Sequence, residues 1–428
     1  MQQFGFTHIH YLLCCLLAFV IPFPFLFAPV VIILIAIAWL LSGNWRGFFP
    51  FLKRSPVLLA WLLFYALHIA SYFYSHNKDV AAFELERKLS CAVLPVVLYA
   101  PFYENSRRFS YLLLSFMAGL SVIALWCLAR AAFLYAQDGQ TGHFFYHSLA
   151  QGTDANAVYT SWYVVCALAL LFFLPWQKNG VRFPVFWRWC MGILLGIFLI
   201  LLNSRLLLVL FVALLLPVYF QQLALRRKLS KSVIVLLSVF VISAVSLVAF
   251  TKNPVSKRFH EVLNKKIDQA FYPDYRQRDQ SFNNLTLRLF VWRVGMDNLS
   301  EHRLWLFGTG IGDWSEMQDR RMDALGIEHI YDTEHPSQYR GVNLHNMYIQ
   351  SLVALGIPGL LLMLYLAFWP LGMRIRWPEK KVFLIIMAVS ALFMLQEAAL
   401  QTQAGVLFYV FVSVLIYIRY RAVKKGFY

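Results

Sequence analysis

Residues 344–369 read LHNMYIQSLVALGIPGLLLMLYLAFW, 26 residues without a single Asp, Glu, Lys or Arg. Wound as an α-helix at about 1.5 Å per residue, this stretch is about 39 Å long. That exceeds the roughly 30 Å of a bilayer's hydrocarbon core, so the segment reads as a membrane span. It opens on a polar pair, His345-Asn346, which places those side chains at the membrane surface. Gly356 and Gly359 within it allow close helix contact, and Pro358 between them predicts a kink.

The rest of the chain repeats this pattern. Of 428 residues, 60% are hydrophobic and only 14% charged. Soluble domains carry about 25% charge, so the composition excludes a soluble protein and implies an all-α, polytopic membrane protein. A ruler of about 20 apolar residues per span gives twelve spans, at 8–24, 26–42, 55–74, 89–103, 109–135, 156–175, 188–203, 205–221, 232–250, 344–369, 380–396 and 402–418. Pro22, Pro24 and Pro29 break the first apolar run into two. No Lys or Arg precedes that run and no small-residue cleavage site follows it, so it reads as an uncleaved span rather than a signal peptide.

The net charge of +17 would suggest nucleic acid in a soluble chain. Here its placement gives a different reading. With the N-terminus inside, the loops at 43–54, 104–108, 176–188, 222–231 and 370–381 and the C-terminal tail hold 20 Lys and Arg against Glu104 and Glu379 alone. The positive-inside rule then puts both termini in the cytoplasm, and no nucleic-acid partner is implied. Three units follow: spans 1–9 in residues 1–250, an outer segment at 251–343, and spans 10–12 with the tail in 344–428. The outer segment carries 13 basic and 13 acidic residues. Its apolar positions recur at helical spacing through Phe259, Val262, Leu263, Ile267, Ala270 and Phe271, and again from Leu285 to Leu299.

Few side chains can carry chemistry. The six cysteines form no CxxC pair and suit small apolar filler. No HExxH or equivalent set occurs, and His143, His147 and His335 have no coordinated spacing, so no metal is expected. Gly308, Gly310 and Gly312 spell GxGxG but not within a strand–turn–helix unit, so they suit a tight turn, not a nucleotide. Arg205, wedged between two spans, either snorkels to lipid phosphate or faces a cavity that holds an anion. Arg288 and Trp292 share a helix face at i, i+4, either as a stacked pair or as part of a site, while Arg293 points elsewhere. His345 is either a polar anchor or a proton-transfer group.

Taken together, the twelve spans, the large outer segment between spans nine and ten, His345-Asn346-x9-Gly356-x2-Gly359, Arg288-x3-Trp292 and Gly308-x-Gly310-x-Gly312 resemble the bacterial O-antigen ligase family, within the O-antigen ligase/polymerase superfamily. At Arg205 the family's Arg-x3-Leu pattern is not kept, because Val209 takes the last position. The resemblance implies a GT-C-like membrane glycosyltransferase of the bacterial inner membrane, with its active site on the periplasmic face. It implies transfer of O-antigen glycan from undecaprenyl pyrophosphate to lipid A-core, with inversion and without metal or other cofactor. His345 would be the general base, and Arg205 and Arg288 would hold the pyrophosphate with planar, always-charged forks. Arg293, Asn346, Trp292 and Arg87 would support them, with Glu84 and Glu86 nearby.

Two rivals stand beside this reading. A polymerase of the same superfamily uses the same donor chemistry with a second lipid-linked repeat as acceptor. A lipid-glycan transporter would need charges deep in several spans and repeat symmetry. The chain offers mainly Arg130 and Glu397 near helix ends, and no internal repeat.

Overall fold

A computed structural model describes residues 2–24, 26–153, 156–215, 267–276, 282–327, 341–374, 377 and 379–425. Among them every regular element is helical. The order is α1 (Gln2–Val20), α2 (Phe27–Leu41), α3 (Trp45–Leu52), α4 (Pro56–Tyr74), α5 (Lys78–Arg87), α6 (Ser90–Val97), α7 (Ser106–Asp138), α8 (Tyr146–Ala150), α9 (Ala157–Phe173), α10 (Val185–Leu202) and α11 (Arg205–Leu210). Then come α12 (Asn284–Glu301), α13 (Trp314–Ala324), α14 (Met347–Phe368), α15 (Lys380–Gln396) and α16 (Gln403–Lys425). Five of these are long and apolar enough to cross a membrane, or up to seven if α2–α3 and the pair at 146–173 each count as one bent span. The chain is a helical, multi-pass membrane protein. The expected span at 232–250, the end of the one at 205–221, residues 259–266 of the helical pattern and His335 lie outside the described residues.

Local sequence accounts for the helix boundaries. Pro22 and Pro24 fall between α1 and α2, which pack on one another, and Pro29 lies in the first turn of α2. Asn105 caps α7 by accepting from the N–H groups of Arg107 and Arg108, and α7 ends on Gly139 in the left-handed conformation. Asn156, Asn283 and Asn346 cap α9, α12 and α14 in the same way.

Packing sorts the helices into a centre and a rim. Of the apolar window of α16, 72% is buried, against 22% for α10. The centre is aromatic: Trp162 of α9 stacks on Phe393 of α15 with ring centroids 4.5 Å apart, and Phe408 of α16 lies edge-on to it. On the rim, Val30, Ile33, Ile37 and Leu40 of α2 and Phe186, Trp187, Ile193 and Ile197 of α10 are exposed. Water would not tolerate two such stripes; lipid does.

Each end of the bundle has its own polar cluster. At one end Arg419 of α16 donates to Glu379 (2.9 Å) and to the carbonyls of Tyr103 and Glu104. Asn179 donates to Ser110 and Glu379, and Arg421 to the Arg54 carbonyl. Five of the basic segments predicted to share one side of the membrane therefore meet. The other cluster lies around Gln401, just before the start of α16, and the helix from Gln403 to Arg419 is about 24 Å long at 1.5 Å per residue.

Candidate active site

At that second end, α14 begins and α15 ends. Glu397 follows α15, is 7% exposed, and is the one acidic residue after Glu379. Its two oxygens are divided between two partners. Oε1 accepts from Arg288 of α12 at 2.9 Å, and Oε2 lies 3.2 Å from Nδ1 of His345. One carboxylate thus bridges the arginine and the histidine that the sequence singled out. A carboxylate only accepts, so Nδ1 carries the proton and Nε2 of a neutral His345 is left with its lone pair. Arg288 has a buried Nε without a hydrogen-bond partner among the described residues.

The segment carrying His345 is held in an unusual backbone. His345 has φ +45°, a left-handed conformation uncommon outside glycine. Three side chains fix it. Asn343 accepts from the His345 N–H at 2.9 Å, Gln350 accepts from the Leu344 N–H at 3.1 Å, and Trp292 donates to the Leu344 carbonyl at 2.6 Å. Trp292 therefore fastens the turn before His345. Asn346 accepts from the N–H groups of Tyr348 and Ile349, which makes it the helix cap rather than a group aimed at a ligand.

Other expected residues fall at graded distances. Arg87, at the end of α5, pairs with Glu84 at 2.6 Å and reaches Gln401 at 3.4 Å. The adjacent Lys88 is buried, pairs with Glu84 and also reaches Gln401. Tyr159 feels both Glu397 and Arg87, so these groups share one neighbourhood. Arg87, Lys88 and Arg288 outnumber Glu84 and Glu397, leaving an excess of positive charge. Arg205 opens α11, which packs on α9 and α15, two residues after Asn203, which ends α10 in the left-handed conformation (φ +49°). Arg293 points away and donates to the Tyr272 carbonyl at 2.7 Å. Among the described residues no three His, Cys, Asp or Glu side chains are grouped to hold a metal.

The glycine string has a structural use. The break in α14 falls at Gly356 (φ 70°, ψ −166°), two residues before Pro358. Pro358 has no N–H for the Ala354 carbonyl, and the break also separates Val353 from Ile357. The loop at 304–312 takes up all three freed groups. Thr309 N–H donates to Val353 (2.7 Å), Gly310 N–H to Ala354 (3.2 Å), and Ile357 N–H to Trp305 (2.9 Å). Such contact requires a bare backbone: a Cβ on Gly308 (φ +73°) would lie 2.5 Å from the Ala354 carbonyl carbon. The loop ends at Asp313, which accepts from the N–H groups of His76 (2.8 Å) and Asn77 (2.9 Å) in the α4–α5 turn. Burial alone would raise the Asp313 pKa. The two backbone donors and the His76 ring outweigh it and hold the carboxyl below its ordinary value.

Sequence reasoning set Arg288 and Trp292 on one helix face, singled out His345 separately, and treated Glu397 only as a charge near a helix end. The available signal was an isolated acidic residue between two apolar spans. Among known families, residues 190–364 match the model described as O-antigen ligase. A search of curated proteins finds no match. The matched stretch includes Arg205, Arg288, Trp292, Arg293, His345 and Asn346, and leaves out Arg87 and Glu397.

Proposed function

We propose, on the match of residues 190–364 to the O-antigen ligase family, that the chain joins the glycan of undecaprenyl pyrophosphate to a sugar hydroxyl of lipid A-core at the periplasmic face of the inner membrane. The observation carrying this reading is the Arg288–Glu397–His345 bridge. The acceptor hydroxyl gives its proton to Nε2 of His345 while its oxygen bonds to the anomeric carbon. The bond from that carbon to the pyrophosphate oxygen breaks, and its electron pair leaves with the lipid pyrophosphate. Attack opposite the leaving group inverts the anomeric centre.

Charge growing on the leaving group needs fixed cations. Arg288, with its unpartnered Nε, and Arg205 are the proposed pyrophosphate contacts, and Arg87 adds to the positive field. Glu397 fixes the His345 tautomer and steadies the imidazolium that forms. Trp292 and Asn346 hold the turn and helix on which His345 sits. Arginine takes the neutralising role here, so transfer is expected to survive a chelator.

The purified protein in nanodiscs, supplied with lipid-linked glycan and either lipid A-core or further lipid-linked repeats, tests this directly. Conjugation to lipid A-core is expected. Growth of the lipid-linked chain alone would assign a polymerase, whose donor site would be the same. Wild-type transfer by His345→Ala would remove the base role, and chelator loss restored by a divalent ion would remove the arginine-for-metal role.

A further inference from the structure

A second concave site lies away from the Arg288–Glu397–His345 bridge. The end of α12, the 304–313 loop, the α4–α5 turn and α13 enclose a cavity of about 910 Å³. Ligand pockets commonly span about 300–1,000 Å³. Asn298 lines it, is 3% exposed, and has an amide Nδ2 without a hydrogen-bond partner among the described residues. Arg321 lines it too, and its buried Nε has no hydrogen-bond partner among the described residues. Such groups are costly to bury unless something bonds them.

The charges narrow the occupant. Arg321 is paired with Glu301 at 2.8 Å and Asp297 at 3.4 Å, and Arg320 is paired with Glu316. Asp313 is occupied by backbone donors. With its cations already neutralised, the cavity is ill-suited to phosphate. Its wall holds the buried donors of Asn298 and Arg321, carboxylate acceptors and the apolar Leu304, Met317 and Ala324. Sugars match that mixture, since each hydroxyl both donates and accepts and the ring presents C–H faces.

We propose that this cavity is a subsite for an uncharged, hydroxyl-bearing oligosaccharide segment several sugars from the reacting bond. The assignment rests on the glycosyl-transfer reading. Asn298 stands ten residues along α12 from Arg288, about 15 Å at 1.5 Å per residue, so only an extended glycan reaches both sites. The segment belongs either to the donor glycan or to the acceptor core.

Two lipid-free probes separate those sources: oligosaccharide released from the donor repeat, and core oligosaccharide freed of lipid A. Binding to the full-length protein in nanodiscs is followed by saturation-transfer NMR and titration calorimetry. One probe is expected to bind, with affinity lowered about 3- to 10-fold by Asn298→Leu, the range for loss of one hydrogen bond. Met317→Trp, which fills the wall, is expected to weaken it at least as much and carries the test if Asn298→Leu does not fold. In transfer assays both variants should impair multi-repeat substrates and spare a donor bearing a single sugar. Unchanged binding in both variants, binding of neither probe, or displacement by inorganic pyrophosphate would overturn the subsite. His345→Ala keeps the cavity, so it is expected to bind oligosaccharide while losing transfer; oligosaccharide binding with transfer retained would count against the catalytic reading alone.

Discussion

Glu397→Gln gives the sharpest test of the bridge. The substitution keeps the shape of the side chain and removes its charge. In the native site the carboxylate sits 2.9 Å from Arg288 and 3.2 Å from His345 Nδ1, with the three side chains 9%, 19% and 28% exposed respectively. A hydrogen bond to a charged partner is worth about 1.5–3 kcal/mol. If the His345 bond strengthens as the imidazole takes a proton, its loss lowers kcat about 10- to 150-fold. A second effect acts in the same direction. The Gln amide can donate to Nδ1, which puts the ring proton on Nε2 and blocks it as a base; an equivalent exchange in serine proteases costs about 10⁴-fold. We therefore expect kcat to fall at least about 100-fold. Arg288 loses a competing carboxylate, so the KM for the lipid-linked donor should stay level or drop. Product is quantified by mass spectrometry at saturating donor and acceptor, with thermal unfolding in detergent as the control for folding. A well-folded Glu397→Gln protein with wild-type kcat would refute the reasoning, as would a variant whose defect lay wholly in donor KM.

Three further outcomes follow from the same contacts. Gly308→Ala forces a Cβ against the Ala354 carbonyl at φ +73°; left-handed strain of about 1–2 kcal/mol plus overpacking of about 1–3 kcal/mol should lower the unfolding temperature clearly, and an unchanged one would contradict the loop's docking on α14. Trp292→Phe removes the 2.6 Å bond to Leu344 at a cost of about 1 kcal/mol, and should reduce kcat more than donor KM in steady-state assays, because it loosens the turn before His345. Asp313 has a lowered pKa in the folded protein, so its stabilisation is complete above the unfolded value of about 3.9 and is lost as pH falls through the lower folded value. Thermal unfolding measured from pH 6 down to pH 3 should therefore show a steeper loss in the native protein than in Asp313→Asn.

Much of this was legible in the sequence because membrane helices are local objects. In hydrocarbon each span satisfies its own backbone, so runs such as 55–74 and 344–369 announce themselves, and Pro22 and Pro24 mark the division of α1 from α2. Arg288 and Trp292 could be placed on one face by helical spacing alone. The basic loops could be sorted to one side by charge, and the contacts of Arg419 and Asn179 bring several of them together.

What the sequence by itself determined is thus a helical, multi-pass membrane protein, the residues able to bind an anion or move a proton, and the likeness to O-antigen ligases. Only the tertiary structure decided which of those residues meet. Glu397 lies 109 residues from Arg288 and 52 from His345, and no periodicity links them; the packing of α12, α14 and α15 does. The glycines at 308, 310 and 312 could be read as a tight turn, but only the fold sets Thr309 and Gly310 on the carbonyl pair released by the break at Gly356 and Pro358, and Gly312 on Ser75 of the α4–α5 turn. A charge is costly to bury, so each side chain's role is set by whichever carboxylate or carbonyl the fold brings within about 3 Å, and that distance is a property of the assembled bundle.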